Sequence, residues 1–223
     1  MNNREYPPLR VERTSLSDQV YAYIKAQILS GAIQAGEHIP EERVGRLFGI
    51  SRTPIREAVK RLEEYGLVRV KPRSYAEVVS FNNKSTVQIA HVRAQLEELS
   101  VRLFVEDAGA ADLAAVQRYV EACDQAVDAG SIGETFLQDS LLHLEIARRC
   151  GNPHLFDVLE RFDAKVQLAR VRVHLPLETL IRFVRQHRPL MEAMGNRDVQ
   201  ASVVIMRHHI LGQLEHLCDD DCE

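Results

Sequence analysis

The sequence predicts a mainly α-helical chain in two parts: a small N-terminal domain ending in a β-hairpin, then an all-α antiparallel bundle of about six helices. Three observations predict it. Two short β-prone runs close residues 1–80, and no strand pattern follows residue 81. Leu, Val, Ala, Arg and Glu are plentiful while aromatics are 6% and Trp is absent, a mix that favours helices over an aromatic-rich sandwich. Charge also changes sign along the chain. Residues 1–80 hold 13 Lys/Arg against 10 Asp/Glu, a net of +3; residues 81–223 hold 15 against 22, a net of −7, which together make −4. His38 alone precedes residue 81, and the other eight histidines follow it. A mildly basic part joined to an acidic, His-rich part implies two tasks in two domains.

Residues 1–14 are polar and charged, an arm without the apolar stretch of a signal peptide. A helix fits Leu16 to Ser30, with Ser17 as its cap and Val20, Ile24 and Ile28 on one face. Gly31 stops it and Gly36 marks a second turn. A short helix fits Glu41 to Phe48, acidic in its first turn as the helix dipole prefers, and Gly49 breaks it. The next begins near Ser51 or Thr53, because Pro54 is tolerated only in a first turn. Its inward face is Ile55, Ala58, Val59 and Leu62, and Gly66 ends it. Leu67–Lys71 and Ala76–Ser80 flank Pro72-Arg73-Ser74-Tyr75 as a hairpin. Helix, short helix, glycine turn, helix and hairpin over residues 15–80 make a winged helix-turn-helix. A linker is expected at 81–84. Helices are expected at 85–108, 111–129, 132–150, 153–173, 177–195 and 198–217, filling a domain at 85–217 ahead of an acidic tail at 218–223.

Arg52, Arg56 and Lys60 are four apart and share one face of the third helix, opposite its apolar stripe. Such a helix packs on its own domain and offers the basic side to a DNA major groove, where arginine bonds guanine in a bidentate manner. Ser51 and Thr53 are short donors at the helix start, suited to phosphates or base edges. The stretch Gly49-Ile50-Ser51-Arg52-Thr53-Pro54-Ile55-Arg56-Glu57-Ala58-Val59, followed by Arg61-Leu62-Glu63 and Gly66-Leu67-Val68, resembles the recognition segment of GntR-family transcription regulators. Ile28-Leu29-Ser30-Gly31-Ala32-Ile33, Gly36 and Glu41 match that family too. The resemblance implies that Arg52, Thr53 and Arg56 contact double-stranded DNA, with Ser51 beside them, Arg43 on the preceding helix and Arg73 in the wing. One departure stands out. Ser74-Tyr75 replace the glycine usual at the wing tip, so this turn lacks glycine's freedom at positive φ.

In the second domain, Asp139 and His143 are four apart and point the same way from one helix. His187, His208 and His209 lie on later helices, and facing helices of a bundle converge such side chains on one interior point. One carboxylate and three imidazoles suit a borderline divalent ion: zinc first, with nickel, manganese or iron as rivals. Six helices behind a GntR head resemble the ligand domain of the FadR subgroup, called FCD. The resemblance implies Asp139, His143, His187 and His209 as the metal set; periodicity alone does not choose between His208 and His209. It also implies Arg93 as the cation that receives a small carboxylate effector. The bland alternative for Arg93 is an i,i+4 salt bridge to Glu97. Arg148 and Arg149 are weaker candidates for the effector's counter-charge.

The expected protein is therefore a homodimeric transcription regulator, a repressor by resemblance. It binds a pseudo-palindromic operator under control of an organic acid held at a metal. The alternatives are a metal-dependent hydrolase using the same Asp/His site, and a regulator whose metal is purely structural. No run approaches 18 apolar residues, so no membrane span is expected. Cys123, Cys150, Cys218 and Cys222 are scattered, as in a reduced, cytoplasmic protein.

Overall fold

The structure is a computed structural model that describes residues 15–71, 75–172 and 176–216. The N-terminal domain holds α1 (Leu16–Leu29), α2 (Glu41–Phe48), α3 (Arg52–Glu64), β1 (Val68–Val70) and β2 (Ala76–Val78). Ser15, not Ser17, caps α1. Its hydroxyl accepts the Asp18 backbone N–H at 3.1 Å, and the Asp18 carboxylate takes the Ser15 N–H in return. The box needs an acid three residues after the cap, and only Ser15 has one. Gly49 ends α2 at φ 63°, the left-handed conformation that lets the chain turn directly into α3. Strands β1 and β2 pair antiparallel with Val68 opposite Val78 and Val70 opposite Ala76. Val20, Ile24, Ile28, Val44, Ile55, Leu62, Leu67 and Val78 form the core of this domain. The winged helix-turn-helix read from the sequence is thus present. The wing residues Pro72, Arg73 and Ser74 lie outside the described residues, as do Cys218 and Cys222.

The second domain holds α4 (Asn83–Asp107), α5 (Ala110–Asp128), α6 (Ile132–Arg149), α7 (Pro153–Arg172), α8 (Leu177–Val184), α9 (His187–Gly195), α10 (Val199–Leu211) and a 3-10 turn (Gly212–His216). Helix α4 starts inside the expected linker because Asn82 caps it, accepting the Ser85 N–H at 2.9 Å. The helix expected at 177–195 is two helices broken at Arg185-Gln186, so the described residues contain seven α-helices in this domain, not six. Pro189 explains the break. It has no N–H to give the Arg185 carbonyl, so it fits only the first turn of a new helix. The last helix likewise stops at Leu211, short of the expected 217. Val101, Phe104, Val116, Leu142, Ile146, Leu190 and Met206 fill the bundle core. No helix among the described residues is long and apolar enough to cross a membrane.

Candidate metal centre and nucleic-acid interface

Helix α3 buries Ile55, Ala58, Val59 and Leu62 and leaves Ser51, Arg52, Thr53, Arg56 and Lys60 exposed. Ser51 is the N-cap by position, yet its side chain makes no capping hydrogen bond. A groove between α2 and α3 is lined by Arg43, Arg46, Arg52 and Arg56, with Tyr75 on its wing side. Arg46 does not stand out in the sequence, since a surface cation on a short helix carries no signal of its own. The restraint on these arginines is slight. Arg52 stands 3.9 Å from Glu42, with both side chains 77% exposed. Pairs of that kind contribute little, so the guanidinium is available to a ligand. Tyr75 stacks on His38 with ring centroids 3.5 Å apart, packing the base of the wing.

Asp139 and His143 on α6, His187 at the start of α9 and His209 on α10 converge in the bundle, all four buried. Asp139 Oδ1 lies 3.6 Å from His143 Nε2, 3.2 Å from His187 Nε2 and 3.4 Å from His209 Nε2. His143 Nε2 and His209 Nε2 are 3.2 Å apart. Neighbouring ligands around an ion bound at about 2.0–2.2 Å stand about 3–3.5 Å apart. Moreover, His187 Nδ1 and Nε2 and His209 Nδ1 are buried without a hydrogen-bond partner. A donor set so spaced and so unsatisfied fits a divalent ion. Helix α10 turns His209 inward and leaves His208 exposed.

Charged neighbours organise the cluster. Glu97 on α4 bonds His143 Nδ1. That partner keeps the Nδ1 proton in place and directs the Nε2 lone pair at the centre. Burial opposes charge on Glu97, but Arg93 and His143 outweigh it and bring its carboxyl down to about 2. His143 is held above the usual histidine range by Glu97 despite its burial. Burial pushes His209 down to about 3. Asp139 stays well below the usual carboxylate range, against the effect of burial, because Arg170 and His143 favour its charged form.

Arg93 is buried, with Nε bonded to Glu97 Oε1 at 2.6 Å and Nη2 3.8 Å from Asp139. The i,i+4 pair weighed against its effector role is therefore present, though Arg93 also faces a cavity beside the cluster. Arg149 is bound to Asp112 and Glu145, and Arg148 to Glu145, with the Arg148 guanidinium also over the ring of Phe156. Neither lines that cavity. Sequence reasoning missed two residues of the centre. Glu97 entered it only as the partner of Arg93. Arg170 on α7, which bonds Asp139 Oδ2, gave no signal, because nothing in the local pattern joins α6 to α7.

Residues 16–78 match the bacterial regulatory proteins of the gntR family, and residues 88–212, more than half of the chain, match the FCD domain. The chain belongs to the GntR family and carries an FCD domain. Relatives of this GntR-family chain include the HTH-type transcriptional regulator YdhC of Bacillus subtilis (strain 168), 26% identical over 202 residues, 90% of this chain and 88% of the relative. The gluconate operon transcriptional repressor of the same organism is 27% identical over 205 residues, 86% and 81% of the two chains. The solved structure of E. coli McbR/YncC has a TM-score of 0.80 at 24% identity, covering 92% of this chain and 98% of that one, which shows the shared fold. GntR-family chains bind DNA and regulate transcription; they are not enzymes, which removes the hydrolase alternative.

Proposed function

We propose that this GntR-family regulator is a homodimeric repressor whose hold on a pseudo-palindromic operator is set by a small organic acid bound beside a metal ion. The observation that carries this reading is the convergence of Asp139, His143, His187 and His209 on one buried point. These four residues would hold the ion, with zinc preferred for a set of three imidazoles and one carboxylate and nickel, manganese or iron as rivals. An ion with open coordination positions binds carboxylate oxygens. The chain's own part is to fix the His143 imidazole through Glu97 and to surround the site with Arg93 and Arg170. On the DNA side, Arg52, Thr53 and Arg56 would read the major groove, with Ser51 and Arg43 on the flanking backbone and Arg73 in the wing. Effector binding must favour one arrangement of the two heads, since equal affinity for both arrangements shifts nothing.

The test is an operator-binding titration with candidate organic acids on metal-loaded and metal-stripped protein, with metal content measured in parallel. Release of DNA from loaded protein only is the expected result. Equal release from stripped protein would mean that the metal is structural.

A further inference from the structure

We propose that the effector is a carboxylic acid with one anionic head and an apolar body, and that Arg170 receives the head. The inference rests on the effector reading above and adds the chemical class. A cavity of about 50 Å³ opens between α4, α6, α7 and α10. Its walls include Ile89, Phe136, Val166 and Ile210, and its only charged lining residues among those described are Arg93 and Arg170.

The two arginines are not equivalent. Arg93 already engages Glu97 through Nε. Arg170 gives Nη2 to Asp139, but its Nε and Nη1 have no hydrogen-bond partner although the residue is only 8% exposed. Buried guanidinium donors left unsatisfied are costly and rare, and their planar fork matches the two oxygens of a carboxylate. Charge points the same way. Arg93 and Arg170 are paired with Glu97 and Asp139, so a divalent ion would add positive charge beside Arg170 and favour an anion there.

The walls then select the body attached to that carboxylate. Apart from the arginines, only Thr86 and Gln213 among the described residues offer polar side chains to the cavity. The hydroxyls of a sugar acid would be stranded against hydrocarbon, each losing its bonds to water. An aliphatic or aryl body buries apolar surface there instead.

The experiment is calorimetric titration of the metal-loaded full chain with acetate, butyrate and hexanoate, and with gluconate and citrate as polar probes. Affinity should rise about fourfold per added methylene, and gluconate and citrate should bind more weakly than hexanoate. Arg170→Gln, compared with wild type at matched metal loading, should weaken hexanoate at least tenfold. Since Arg170 also touches a metal-set residue, Ile89→Gln serves as a second variant. It should flatten the chain-length series while leaving metal content as in the wild type. A flat series in the wild type, or gluconate or citrate binding as tightly as hexanoate, overturns the proposed class. So does an unchanged series in Ile89→Gln. Wild-type hexanoate affinity in a metal-loaded Arg170→Gln variant overturns the role of Arg170. If none of these acids binds loaded protein, the effector reading itself fails with it.

Discussion

His143 is held from both sides, by the Glu97 carboxylate at Nδ1 and by the shared centre at Nε2. The pair fixes the ring before any ion arrives, so Glu97 acts on the metal through the imidazole. Glu97→Gln should weaken metal binding by about 10- to 100-fold, as loss of such outer partners does, and a competitive chelator titration reads it. Unchanged affinity would reduce Glu97 to a partner of Arg93. The double variant His143→Ala with His187→Ala should bind no metal by elemental analysis; full occupancy would sink the site. His209→Ala should cost more metal than His208→Ala, because only the His209 ring is buried in the cluster. On α3, Arg52→Ala or Arg56→Ala should cost about 1–3 kcal/mol on a specific operator and much less on random DNA. Equal losses on both would make these arginines phosphate contacts. Among these residues, Asp139 and His143 are legible as a helical pair, and the recognition face as a stripe. His187 and His209 are legible only through resemblance, because convergence from separate helices leaves no local trace. For Arg170 even that is missing.

Helix boundaries show where local rules suffice. Pro54 and Gly49 place α3 correctly because both act on their immediate neighbours. Pro189 obeys the same rule, but Leu180, Phe183, Val184, Leu190 and Met194 keep a helical spacing across it, so that α8 and α9 look like one helix in the sequence. The break has a consequence for the site: it sets His187 at the first position of α9, with its ring fully buried. A second element-level device lies just after α9. Arg197 has φ 60°, the only non-glycine residue with positive φ among those described. Its guanidinium donates to the carbonyls of Val105 and Ala108, each at 2.5 Å, and so closes the C-terminal end of α4. Arg197→Ala removes these bonds and keeps the strained backbone, for a loss of about 2 kcal/mol. Arg197→Gly removes the bonds but relieves the strain, and should recover about 1 kcal/mol of it. Urea denaturation should rank wild type above Gly and Gly above Ala. Ala matching wild type would show that the guanidinium does not support α4.

Across the whole molecule, α7 joins the two domains physically. Ala164 and Leu168 belong to the core of the DNA-binding domain, alongside Ile28 and Leu62 of α1 and α3. Val166, Ala169 and Arg170 of the same helix line the cavity beside the metal cluster. At 100° per residue these two sets lie on opposite faces of one rigid cylinder. Anything that draws Arg170 toward a ligand therefore acts directly on the seat of the DNA-binding domain. No sequence pattern reveals this joint, because Ala164 and Leu168 look like ordinary bundle positions. Coupling through α7 should be separable from binding at either end. Leu168→Ala trims the contact with the head and leaves α3 and the cavity lining untouched. Effector affinity and metal content should match wild type, and operator affinity without effector should change little. The effector's influence on operator affinity, typically about 5- to 150-fold for a coupling of 1–3 kcal/mol, should shrink toward none. Because coupling free energy is reciprocal, operator DNA should also lose its effect on effector affinity in the same variant. A full response in both directions would place the coupling elsewhere in the fold, with the chain from Val78 through Asn82 into α4 as the remaining covalent route between the domains.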